Sequence, residues 1–110
     1  MVFRHYLRVN MFDLKTDEIY SFKLNSGEEV VGKVAAIGAN EVILDHAVSV
    51  AMTPQGVQMI PSMFTANPAG KITVNTTNCT MVSETAPDVI TAYTQAVTGI
   101  ATPSKKIITG

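Results

Sequence analysis

Two glycines five positions apart, set in a stretch rich in β-branched residues, constrain this 110-residue chain more than any other feature. Leu24-Asn25-Ser26-Gly27 ends an alternating run built on Tyr20, Phe22 and Leu24, and the β-rich segment 28–37 follows at once. A short polar turn between two such runs is a hairpin signal, with glycine at the residue that needs positive φ. Gly32 lies inside the second run, where a missing side chain marks a sharp bend or bulge. Leu24, Val30 and Val34 alternate onto one face, so the spacing predicts a first hairpin that curls, as small barrels need at their corners.

The same reading continues for some fifty residues. Gly38-Ala39-Asn40 makes the next turn, Glu41–Asp45 the next strand, and Val48–Met52 its continuation beyond a kink near His46. Thr53-Pro54-Gln55-Gly56 favours a type I turn, with proline second and glycine fourth. Val57–Phe64 reads as a returning strand weakened by Pro61, and the turn Asn67-Pro68-Ala69-Gly70 follows it. Lys71–Thr76 and Asn78–Ser83 are two more strands, meeting at a very short polar joint. At Thr85 the period changes to that of a helix: Val89, Tyr93, Ala96 and Ile100 share a face, with Ile90 and Val97 beside them. Thr85-Ala86-Pro87-Asp88 supplies a capping residue, an early proline and an acid in the first turn. The expected organisation is an N-terminal extension or short helix over 1–17, a β domain over 18–84, a helix over 85–100 and a tail over 101–110. Phe3, Leu7 and Met11 recur at helical spacing, and the alternative is a loose extension with Met11 as the true start.

Composition narrows the function. The length suits one domain, which buries roughly 65% of the unfolded chain's surface and needs no staple. One cysteine excludes an internal disulfide and a thiolate zinc cluster. Residues 11–104 carry all nine acids and only four bases, a net of −5, while Arg4, Arg8, Lys105 and Lys106 sit at the ends. Phosphate binding draws on concentrated positive charge, and the centre of this chain lacks it. Arg4, His5 and Arg8 interrupt the early apolar stretch, so no signal-peptide core forms, and no run reaches the ~18 apolar residues of a membrane span. The expectation is a soluble cytoplasmic protein without membrane attachment, and the two glycosylation sequons at Asn75 and Asn78 are then chance matches.

The run from Leu24 through Gly27, Val30, Gly32 and Val34, followed by Asp45 near the end of the third strand, resembles the first signature motif of the Sm and Sm-like proteins. More narrowly it is similar to the small Sm-like proteins of tailed phages of marine bacteria. The second signature is matched in outline by Val74-Asn75-Thr76-Thr77-Asn78-Cys79-Thr80-Met81-Val82, and the resemblance covers residues 18–83. It implies an all-β fold, a small, strongly bent five-stranded Sm-like (SH3-like) barrel, here with a long hairpin excursion and a C-terminal α-helix. It also implies a homo-oligomeric ring closed by pairing of the fourth and fifth strands, and RNA-associated binding or scaffolding. Family members that bind uridine-rich RNA stack the base on an aromatic residue in the loop after the second strand. They read it with an Asn and clamp it with the Arg-Gly pair of the second motif. Here that loop is Ile37-Gly38-Ala39-Asn40, and Asn75 and Thr76 stand where Arg and Gly would be. Stacking contributes about 1–3 kcal/mol per base, so these departures weaken the RNA pocket while leaving the fold intact.

The candidate nucleic-acid residues are thus Asn40, Lys33, Lys71 and Asn75, with Leu24, Gly27, Val30, Gly32, Val34 and Asp45 as the structural motif. Asn40 and Asn75 also suit ordinary turns. Met52, Met59 and Met63 suit either an adaptable surface or a core or subunit seam. His46 beside Asp45, with His5 as the other histidine, makes no ligand cluster, and Cys79 reads as a small buried hydrophobe. Tyr93 reads as a packing anchor. With no nucleophile elbow, phosphate loop or dinucleotide fingerprint, neither an enzyme nor a cofactor or metal is expected. The alternative function is a protein-assembly module that binds a partner through residues 53–70 or the C-terminal helix, without nucleic acid.

Overall fold

The computed structural model describes residues 13–67 and 69–101. The predicted N-terminal helix falls largely on residues 1–12 and the tail on 102–110, both outside the described residues. Six strands, β1 (Ile19–Leu24), β2 (Glu29–Ile37), β3 (Glu41–Thr53), β4 (Gly56–Pro61), β5 (Lys71–Asn75) and β6 (Cys79–Glu84), precede one helix, α1 (Pro87–Ala101). The pairings are all antiparallel, in the order β4-β3-β2-β1-β6, with β5 also on β3.

Local chemistry sets each turn. Between β1 and β2, the Gly27 N–H donates to Leu24 O at 2.9 Å and the Leu24 N–H to Glu28 O at 2.8 Å. Gly27 takes φ +94°, where a side chain would be strained. Gly38 N–H donates to Glu41 O at 2.8 Å, closing the β2–β3 turn. The β3–β4 hairpin pairs Thr53 with Gly56 around Pro54 and Gln55.

Two bulges coil the sheet. Val31 faces Val48 and Lys33 faces Asp45, so Gly32 alone opposes both His46 and Ala47. His46 takes the extra position with φ +51°, which makes the expected kink while β3 remains one strand. Farther along, Val34 faces Leu44 and Ala36 faces Ile43, leaving Ala35 as a second extra residue. Gly32 is needed for close approach: a Cβ there would lie 3.0 Å from Leu44 Cδ1 and 3.1 Å from its Cβ.

The bent sheet buries side chains on both faces. One face gathers Phe22, Val30, Val34, Val42 and Leu44, with Leu24, Ile72, Val74, Cys79 and Val82 half-buried around them. Leu14 joins this core, so the described end of the N-terminal extension is tied to the β domain; the Lys15 N–H also donates to the Tyr20 hydroxyl at 3.1 Å. The other face carries Val31 and Val48 and is covered by α1. Val89, Tyr93 and Val97, one turn apart, form the ridge that packs there. Thr85, predicted as the helix cap, instead shares a 2.8 Å hydrogen bond with Ser21, fastening the start of α1 to β1.

Two expectations need correction. Among the described residues there are six strands where five were expected, and their sheet is not closed into a barrel. The return predicted over Val57–Phe64 ends at Pro61, which has no N–H for the ladder; after a last bond from the Ser62 N–H to Ala47 O at 3.3 Å the chain leaves the sheet. It rejoins the same edge of β3 as β5: β4 pairs with residues 48–53 and β5 with 41–45. A fourth ribbon is thereby split in two. No strand pairing joins β5 to β6 across the open side; they are linked by the 3₁₀ turn Thr76–Asn78, and β6 turns away to pair with β1. No helix among the described residues is long and apolar enough to cross a membrane.

Candidate functional site

The register of β3 and β5 decides which candidate residues meet. Glu41 faces Asn75, and the Thr76 N–H donates to Asn40 O at 2.9 Å, so Asn40 and Asn75 lie side by side at one end of β5. At the other end Asp45 faces both Lys33 on β2 and Lys71 on β5. The four candidates therefore form two pairs separated by four residues of strand, about 13 Å at the usual rise.

Neither pair presents the chemistry of a complete base pocket. The Asn75 side-chain oxygen accepts from the Thr77 N–H at 3.0 Å and from the Thr77 hydroxyl at 2.8 Å, capping the 3₁₀ turn. Asparagine commonly plays this part in turns. Asn40 and Asn75 are both exposed, and each side-chain amide carries two N–H donors. The Lys71 ammonium lies 3.4 Å from Asp45 Oδ1. Both groups are substantially exposed, and such pairs contribute only about 0–1 kcal/mol.

The structure gives three residues, Thr76, Ser49 and Tyr93, surroundings that pattern reading does not supply. Thr76 is buried, and its hydroxyl has no hydrogen-bond partner among the described residues. Its burial follows from the 3₁₀ turn, which a Thr-Thr-Asn triplet does not announce. The Ser49 hydroxyl donates to the Glu28 carboxylate and lies 3.3 Å from Ser62 Oγ, linking the first hairpin to the excursion. Tyr93, read only as an anchor, also makes a polar contact. Its hydroxyl donates to Asp45 O at 3.0 Å, beside the backbone of Lys33. The phenol thus reaches the very bulge where the β2–β3 ladder slips. Burial pushes its pKa up to about 12, a backbone hydrogen bond from Lys33 pulls the other way, and the Asp45 charge adds to the rise. Cys79 is half-buried against the core, and burial raises its thiol pKa.

The motif residues hold the sheet in shape: Val30 and Val34 are buried, Leu24 packs at the core margin, and Gly27 and Gly32 act as described above. The methionines divide. Met59 packs beneath α1, whereas Met52 and Met63 are 78% and 51% exposed, and Phe64 beside Met63 is 80% exposed. Met63 and Phe64 help line an apolar hollow of about 160 Å³ between the excursion and the kink at His46. Among the described residues, no three His, Cys, Asp or Glu side chains are grouped to hold a metal ion. Compared with protein-family models the chain matches none, and compared with curated proteins it likewise finds no match.

Proposed function

We propose that this chain is an Sm-like module that assembles edge to edge with its own copies into a ring, acting in the cytoplasm as a binding scaffold rather than a catalyst. The observation that carries this reading is the sheet order, which ends in β6 on one side and in the split ribbon β4/β5 on the other. A free sheet edge is a template for another strand. Two different edges on one chain favour head-to-tail contacts, which close into a ring when the rotation permits. Met81 on β6 and Ile60 on β4, 64% and 42% exposed, supply apolar area at such a seam. Native mass spectrometry of untagged protein, purified without nuclease, tests the reading. A closed ring free of nucleotide mass is the expected result, and a monomer at micromolar concentration rejects it.

RNA association is the second reading, supported by the placing of Asn40 against Asn75 and Thr76, where the resemblance puts the base site. A ring would repeat this weak site and gain avidity. Its test is the salt dependence of binding to a uridine-rich oligonucleotide. Substituting Lys33→Gln and Lys71→Gln should weaken binding, and indifference to both rejects RNA. Assembly with a protein partner through residues 53–70 draws on the exposed Met52, Val57, Met63 and Phe64 of that stretch and its immediate neighbour. Shortening the excursion should then abolish partner capture with the ring preserved.

A further inference from the structure

Because the sheet is not closed, a hollow of about 220 Å³ remains between the first hairpin and β5, on the face that holds Phe22 and Val30. Leu24 and Val30 on the hairpin and Ile72 and Val74 on β5 give it apolar walls, and all but Val30 are only half-buried. Asn75 and Asn78, at the two ends of the 3₁₀ turn, complete the lining with amide groups. Glu28 is the one charged residue of that lining. Its place there is set by Ser49, which stands opposite Val30 in the β2–β3 ladder, shares its face and is 7% exposed. The Ser49 hydroxyl donates to Glu28 Oε2 and so holds the carboxylate on this side of the sheet. Ser62, whose Oγ lies 3.3 Å from that of Ser49, backs the contact and borders the same hollow.

One hydroxyl does not exhaust a carboxylate. Oε1 and the second lone pair of Oε2 stay open to further donors. Among the described residues the ion pairs are Lys23–Glu29 and Lys71–Asp45, so the Glu28 charge has no cationic partner. These features select the occupant. An anion is repelled, and a wholly apolar molecule leaves the charge unmatched. A planar cation meets both demands: an amidinium or guanidinium offers two parallel N–H groups that a carboxylate accepts bidentately, and an apolar body behind it covers the half-buried walls. Drug-sized sites run from ~300 Å³ upward, so this smaller hollow limits the body to about one ring or a short alkyl chain.

We propose that this hollow is a binding site for a small organic cation of the amidinium or guanidinium class, its head on the Glu28 carboxylate and its apolar body between Val30 and Val74. The site lies within one chain and does not rest on ring assembly. Benzamidine is the probe and benzamide, its neutral isostere, the control, each titrated into the full chain carrying methyl-labelled isoleucine, valine and methionine. Benzamidine should shift the Val30, Ile72 and Val74 methyl signals, leave Met52 and Val57 on the other face unmoved, and bind about tenfold tighter than benzamide. Glu28→Gln should abolish that preference and Glu29→Gln should keep it; both positions are exposed, so neither change disturbs the fold. Equal binding of the two probes, shifts centred on Met52 and Val57, or a preference that survives Glu28→Gln overturns the proposal, as does a hollow that responds to neither probe.

Discussion

At Gly32 a single methyl group would fall 3.0 Å from the buried Leu44 side chain, so Gly32→Ala makes Leu44 give way inside the core. Overpacking of this kind costs about 1–3 kcal/mol, which urea unfolding should register as a lower midpoint. Tyr93 offers a second measurement. Its phenol ionises near 12 in the folded chain against about 10 in the unfolded one. Between those values the unfolded state has shed a proton that the folded state keeps. This part of the stability is therefore complete below pH 10 and is lost as pH rises toward 12. Tyr93→Phe should flatten that stretch of the pH–stability curve and cost about 1 kcal/mol at neutral pH through the lost hydrogen bond to Asp45 O. The need for Gly27 and Gly32 is legible in the sequence because turn and bend sterics act over a few residues. The contacts of Tyr93 and Lys71 are not, since each depends on a strand or helix brought alongside from far along the chain.

The bend of β3 resides in one residue. His46 holds φ +51° while its neighbours stay extended, a conformation that a β-branched side chain tolerates poorly. His46→Val should cost about 1–2 kcal/mol, read in the same unfolding experiment, with the circular-dichroism signature of the native sheet retained. The strand reading of the sequence finds this kink, the hairpin at Gly27 and the helix after Thr85, because each has a local period or a turn residue. It overruns at Val57–Phe64, where apolar side chains continue past the point at which Pro61 ends the ladder. Hydrophobicity reports burial or exposure to a partner, and it does not report which backbone groups are paired. For the same reason the candidate residues could be nominated singly, while their division into an asparagine pair and a lysine pair follows from the register of β5 on β3.

For the whole molecule the governing quantity is the chemistry of two open sheet edges. Met81→Glu places a charge on the β6 edge opposite Lys23, where it is tolerated within one chain and disfavoured between chains. On the proposed edge-to-edge assembly, sedimentation should show a shift toward monomer, while the unfolding free energy of the dissociated chain stays within about 0.5 kcal/mol of the parent. The split ribbon has another consequence. Because β4 and β5 are each anchored to their own stretch of β3, the register of one does not depend on the length of chain before the other. The stretch between Ser62, which is held to Ala47 and Ser49, and Lys71 is thus a position where the chain can grow, shrink or be exchanged for a foreign sequence while the hydrogen-bonded frame on either side is conserved. In engineering terms the fold carries a ready-made insertion port, and a closed ring of such chains would display one copy of the insert per subunit.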